Sequence, residues 1–301
     1  MPNAPLIAVM SYNRGQYLQN CVASAEICLP GSKIAVLDDG SNDEATAEVL
    51  KKVGKRHQVV YPFLKETAGE HGGLHRNMQR VLEMFSEHEH VVFIQDDMQF
   101  IRRLGEEEFL QIGNYFELVD SPFLYPVMFK GNNRATLKKF ISFDRRLSVY
   151  FSKEQETKTA IYYSDPIVAD ARRLREFGWK FQFGEYINAE RAAALFHPMG
   201  IMRNPIMMYI PEVPVYRYRT KTLAARVQEH LNGTELKSFE IMNDEENRQF
   251  CQRDPSHLPI AEDFLRPIGN IRRKPFVYSA VEANRVLYKL HKFELKRRKA
   301  N

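Results

Sequence analysis

Residues 33–41 read Lys33-Ile-Ala-Val-Leu37 followed at once by Asp38-Asp-Gly-Ser41. A short apolar run bounded by turn formers reads as a strand buried on both faces. Two adjacent carboxylates at its end are costly unless they find partners. Gly40 permits a tight turn and a close approach of backbone. The pair can accept hydrogen bonds from a ligand; an Asx turn with a helix cap is the plainer alternative.

The same design recurs on either side. Leu6-Ile-Ala-Val-Met10 is a strand closed by Ser11-Tyr-Asn-Arg14, and His90-Val-Val-Phe-Ile94 is a strand closed by Gln95-Asp-Asp97. Helical spacing fills the intervals over Tyr17 to Ile27, Ala45 to Val53 (capped by Asn42 or Asp43) and Gly72 to Phe85, with a further strand over Val59 to Leu64. Strand and helix alternating at this interval predict βαβ crossovers and a mostly parallel sheet flanked by helices. In such sheets ligands bind at the carboxyl ends of the strands. The clusters Ser11 to Arg14, Asp38 to Ser41 and Gln95 to Gln99 all fall there. A carboxylate pair in such a place can hold Mg²⁺ or Mn²⁺ against a leaving diphosphate, or form a surface turn.

The second half is less regular. The pattern predicts helices over Glu106 to Leu118, Ile167 to Phe177 and Ala189 to Phe196. Strands are predicted over Phe123 to Phe129, Met207 to Ile210 and Val213 to Tyr218, and a basic helix over Val277 to Lys299. Leu137 to Glu156 gives no clear signal. Three parts follow: 1–100, 101–220 and a helical extension, 221–301.

Charge is unevenly placed. Of the net +5, residues 271–301 carry +8, from ten Lys or Arg against two Glu, so the remainder is slightly acidic. The basic helix from Val277 to Lys299 can lie on an anionic membrane face or dock with a solvated basic side. Cys21, Cys28 and Cys251 lack paired metal-site spacing, and free thiols in a cytoplasmic protein are the simplest reading. The Asn232-Gly-Thr234 sequon reads as a chance match. The aromatic fraction, 12%, fits core filling as well as a sugar or base pocket. No apolar run is long enough to span a bilayer.

S-Y-N-R-x-x-Y-L-x-x-C-V-x-S, D-D-G-S-x-D, G-G-x-x-R-N and a strand ending in a carboxylate pair follow in order over Ile7 to Phe100. Together they resemble the family-2 glycosyltransferases of the GT-A fold. The resemblance implies a nucleotide-sugar donor, UDP-linked, a glycan or lipid-linked hydroxyl acceptor, Mn²⁺ or Mg²⁺, and no nucleic acid. It implies inverting hexosyl or N-acetylhexosaminyl transfer in glycan or polysaccharide biosynthesis. The thiols and the basic C-terminal helix lead to the expectation of a cytoplasmic protein, free or peripheral on the inner face of the membrane. Ser11 and Tyr12 would lie beside the base, with Arg14 at the donor; Asp39 would bind the base, with Asp38 nearby. Arg76 would approach the nucleotide. Gln95-Asp96-Asp97 occupies the D-x-D position: Asp97 is the expected metal ligand, and Asp96 would face the ribose or sugar. Glutamine replaces the first acid, which weakens the expected metal site while leaving a hydrogen bond to ribose.

An inverting transfer needs a general base. The family's E-D pair is not intact here. Glu190 stands at about the usual distance before Gly200, and Glu185 follows a glycine; Glu190 is slightly favoured and both are kept. Arg217, Arg219 or Lys221 would neutralise the diphosphate or line a surface strand. His197 and His230 read as structural before they read as metal ligands. Nucleotidyltransferases and nicotinamide dehydrogenases are excluded, because the loop at Ser11 is not the glycine-rich loop either needs. A degenerate relative that binds nucleotide or glycan without turnover is the remaining alternative.

Overall fold

The structure is a computed structural model, and it describes residues 4–62, 73–153, 159–213, 222–232 and 236–300. The strands in chain order are β1 (Leu6–Ser11), β2 (Ile34–Asp38), β3 (Gln58–Val60), β4 (His90–Gln95), β5 (Met98–Phe100), β6 (Phe123–Tyr125), β7 (Ile141–Asp144), β8 (Val149–Ser152), β9 (Ile167–Asp170), β10 (Gly200–Met202), β11 (Met207–Tyr209), β12 (Ser238–Phe239) and β13 (Pro267–Ile268). The helices are α1 (Gly15–Cys28), α2 (Glu44–Val53), α3 (Gly73–Met84), α4 (Glu106–Leu118), α5 (Arg134–Phe140), α6 (Ala171–Glu176), α7 (Glu185–Leu195), α8 (Leu223–Asn232), α9 (Asp244–Gln252), α10 (Ala261–Phe264) and α11 (Arg285–Ala300).

Among the described residues nine strands form one sheet in the order β3-β2-β1-β4-β9-β6-β10-β8-β7. β1 to β4 run parallel, as the alternation predicts, and β9 runs antiparallel between β4 and β6. Every residue of β1 is buried, because both faces of the sheet are covered. Ile7 and Val9 enter one core with α1 and α2; Leu6, Ala8 and Met10 enter the other with α3, α6 and α7. Gly15 lets α1 start against α2: a β-carbon there would meet the Ala45 carbonyl oxygen at 2.8 Å.

Several sequence expectations change. Ile167 to Phe177 is a strand and then a helix, with Asp170 at the junction capping α6 through the Arg173 N–H at 2.8 Å. Pairing with β4 and β6 overrides the helical spacing of this run. Phe123 to Phe129 keeps its strand only as far as Tyr125, before Pro126. The unassigned stretch after Leu137 contains the β7–β8 hairpin. The basic helix starts at Arg285, where Asn284 accepts from the Val286 and Leu287 N–H groups at 3.0 and 3.2 Å. No helix among the described residues is long and apolar enough to cross a membrane.

Register sets the site. Ser11 stands beside Asp38, and Met10 beside Gln95, so the loops after β1, β2 and β4 leave the sheet at one edge. β9 is antiparallel with Phe93 opposite Ile167, which brings Ser164 and Asp165 to that same edge.

Candidate active site

Asp38 builds the loop after β2. Its buried carboxylate accepts from the N–H groups of Gly40 (3.0 Å) and Ser41 (2.8 Å) and from the Ser41 hydroxyl (2.5 Å). Asn13 ties this loop to the one after β1: its N–H donates to Ser41 Oγ at 2.9 Å, and its side chain accepts from Asn42 N–H at 2.8 Å. Asp39, the next residue, packs over Gly73, with Arg76 Nη2 3.7 Å from its Oδ1.

The loop after β4 carries two buried carboxylates. Asp96 accepts from the Tyr12 N–H at 3.0 Å and from Arg14 Nη1 at 3.2 Å. Asp97 Oδ2 accepts from Arg14 and from the Tyr278 hydroxyl. Burial pushes Asp96 up to about 6, against the pull of Arg14. Burial lowers Arg14, but Asp97 and Asp96 together more than offset it and hold the guanidinium charged. Gln95 is half-buried, and its carbonyl faces the Cys21 thiol at 3.7 Å.

Three buried polar atoms at this edge, Ser11 Oγ, Arg14 Nε and Asp97 Oδ1, have no hydrogen-bond partner among the described residues. An unsatisfied buried group of this kind costs about 1–3 kcal/mol. Asp97 Oδ1 fits a divalent cation as a single carboxylate ligand, which is how Mg²⁺ and Mn²⁺ are held when substrate phosphates complete the shell. No group of three His, Cys, Asp or Glu suited to a metal occurs among the described residues.

A second cluster faces these carboxylates across tyrosines. Glu185 begins α7 and accepts from the Ser164 hydroxyl at 3.0 Å and from the Asp165 N–H. Burial, and then the Asp165 charge, push it above the usual carboxylate range. Asp165 is held by His75 Nε2 at 2.9 Å and by the Tyr163 hydroxyl at 3.1 Å. Tyr209 lies between the clusters: its ring is 5.7 Å from that of Tyr278, and besides burial the charges of Glu185, Asp97 and Asp165 all push its hydroxyl up. Lys130 sits 5.0 Å over the Tyr209 ring, and burial lowers its ammonium.

Residues 6–158, about half of the chain, match the family described as glycosyl transferase family 2. The chain belongs to that family. Among solved structures, S. aureus TarS is 17% identical over 68% of this chain and 36% of its own, with a TM-score of 0.47. The mannosyltransferase PcManGT from Pyrobaculum calidifontis, solved with GDP-Man and Mn²⁺, is 13% identical over 75% of this chain and 61% of its own, at 0.43. Glucosyl-3-phosphoglycerate synthase from Mycobacterium tuberculosis is 15% identical over 75% and 79%, at 0.42. The chain thus spans about a third of TarS and three-fifths of the mannosyltransferase. No curated protein sequence matches it.

In this family-2 glycosyltransferase, Ser11, Tyr12, Arg14, Asp38, Asp39, Arg76, Gln95, Asp96 and Asp97 come together at the sheet edge. Glu185 is half-buried and shares Tyr209 as a neighbour with Asp97, whereas Glu190 is exposed on α7 beside Tyr186. His197 and His230 are exposed, His197 against Phe151 and His230 on α8. Gly72, the Pro214 to Arg219 stretch with Lys221, and Gly233-Thr234 lie outside the described residues. Sequence reasoning missed His75, Asp165, Lys130, Tyr209 and Tyr278. Only His75 left a signal, standing next to Arg76 in the R-N motif.

Proposed function

We propose that this glycosyltransferase moves a hexosyl or N-acetylhexosaminyl group from a UDP-linked donor to a hydroxyl of a glycan or lipid-linked acceptor, with inversion, in polysaccharide biosynthesis. The observation that carries the reading is the set of buried atoms without a partner among the described residues, Ser11 Oγ, Arg14 Nε and Asp97 Oδ1, at the carboxyl edge of the parallel strands. Such atoms persist where a polar ligand completes them.

In this reading Asp39, backed by Ser11 and Tyr12, accepts from the imide N–H of the base, and Arg76 stays beside Asp39 at the nucleotide. Gln95 and Asp96 hold ribose and sugar hydroxyls. Asp97 Oδ1 would hold Mn²⁺ or Mg²⁺, and the bound ion would supply charge to neutralise the leaving diphosphate. Glu185 is the general base. Its carboxylate takes the proton of the acceptor hydroxyl as that oxygen bonds to the anomeric carbon, and the bond from that carbon to the diphosphate oxygen breaks. Burial of Glu185 and its place across Tyr209 from Asp97 favour it over exposed Glu190. The hydroxyl of Ser164 and the N–H of Asp165 orient it.

One observation favours binding without turnover: Arg14 and Tyr278 both engage Asp97 Oδ2. A donor-hydrolysis screen over a panel of nucleotide-sugars, with and without Mn²⁺, separates the two. Metal-stimulated release of sugar supports transfer, and nucleotide-sugar binding with no release supports the non-catalytic reading.

A further inference from the structure

Two helices beyond the family match leave apolar stripes on the surface. On α8, Leu223, Val227 and Leu231 recur at intervals of four; on α11, Val286, Leu290 and Phe293 recur at four and three. These six side chains are between 41% and 68% exposed. They are not the faces that join the helices to the protein. α8 buries Ala224, Ala225 and Gln228, and α11 turns Leu287, His291 and Glu294 inward.

The two stripes are tied together. Glu294 accepts from the N–H groups of Leu223 and Ala224 at 2.8 and 3.1 Å, and Thr222 Oγ1 meets His291 Nδ1 at 2.7 Å. The start of the α8 stripe is thereby fixed to the turn of α11 that carries Leu290 and Phe293. At 100° per residue, Arg285, Lys289, Lys292 and Lys296 form an exposed basic stripe beside the apolar one on α11. Arg297 lies over the Phe293 ring at 5.8 Å, closing the apolar stripe with a cation. The outward surface of α11 is therefore half apolar and half cationic, and its one acid, Glu294, is engaged as a cap.

We propose that the α8–α11 pair docks flat on an anionic lipid surface, with the apolar stripes entering the headgroup boundary and the lysines meeting lipid phosphates. Sequence reading raised membrane contact only for a basic helix from Val277 to Lys299. The structure adds the second helix, its apolar stripe and the hydrogen bonds that join the two. Charge decides the occupant: 271–301 carries +8 while the rest of the chain is slightly acidic. A second copy would bring like-charged stripes face to face, whereas an anionic bilayer complements both halves of the surface.

The test is flotation of the full chain with phosphatidylcholine vesicles, with and without phosphatidylglycerol, at low and high salt. Binding is expected at low salt on the anionic vesicles alone, and roughly tenfold weaker after Leu290→Ser/Phe293→Ser or after Lys289→Gln/Lys292→Gln/Lys296→Gln. A Leu290→Trp variant, which adds no charge, should shift its emission to the blue on anionic vesicles. Equal binding to both vesicle types, no binding at low salt, or binding untouched by both sets of substitutions would overturn the proposal. So would a dimer in solution that Leu290→Ser/Phe293→Ser dissociates, which assigns the surface to a second copy. None of these readouts uses a donor sugar, so they stand apart from the catalytic reading.

Discussion

The Asp39 carboxylate packs against the α-carbon of Gly73, in the space that a β-carbon on residue 73 would fill. The residue proposed to read the base is thus held in place by the first residue of α3, the helix that also carries Arg76.

Gly73→Ala should therefore displace Asp39 without unfolding the protein, since the far end of a side chain can move aside. Calorimetric titration with UDP should show affinity falling by roughly tenfold or more, about 1.4 kcal/mol. Unchanged affinity would mean that Asp39 does not touch the nucleotide.

Arg14 neutralises two buried carboxylates, so Arg14→Met leaves Asp96 and Asp97 uncompensated. Removing one partner of a buried pair costs about 3–5 kcal/mol. Urea denaturation should show a loss on that scale, and Arg14→Met/Asp97→Asn should lose less than the sum of the single changes. Full additivity would show that the pair is not coupled.

Glu185→Gln should lower kcat by roughly 10²–10⁴-fold, the usual contribution of a general base, with donor binding retained. Glu190→Gln should change kcat by no more than about twofold, as expected of a solvated charge away from the reacting atoms. The reverse ranking would move the base to Glu190.

The base works ionised, and the folded protein raises Glu185 above its ordinary value, first through burial and then through Asp165. Activity should therefore fall on the acid side at a pH above the usual glutamate range. Asp165→Asn removes the neighbouring negative charge and should move that limb to lower pH. A limb that stays in place would detach Glu185 from the rate profile.

Part of this was legible in the sequence. β1, β2 and β4 are continuous apolar runs because helices cover both their faces, and the polar clusters directly after them mark one sheet edge. β9 was misread because four strand residues run straight into a helix capped by Asp170, and the shared apolar spacing conceals the junction. The His75–Asp165–Glu185 cluster could not be read. His75 and Asp165 are 90 residues apart, and the antiparallel register of β9 on β4 brings them together. Tyr278 reaches Asp97 across 181 residues, from a segment where spacing alone predicted helix.

The central claim, that the edge formed by Ser11, Asp39 and Asp97 holds a nucleotide-sugar, is tested most directly by calorimetry of the full chain with UDP-sugars, with and without Mn²⁺. Binding is predicted, tightened by Mn²⁺; Asp39→Ala should weaken it in both conditions, and Asp97→Asn should abolish only the response to metal. Absence of heat with every nucleotide-sugar, or binding indifferent to both substitutions, would contradict the account.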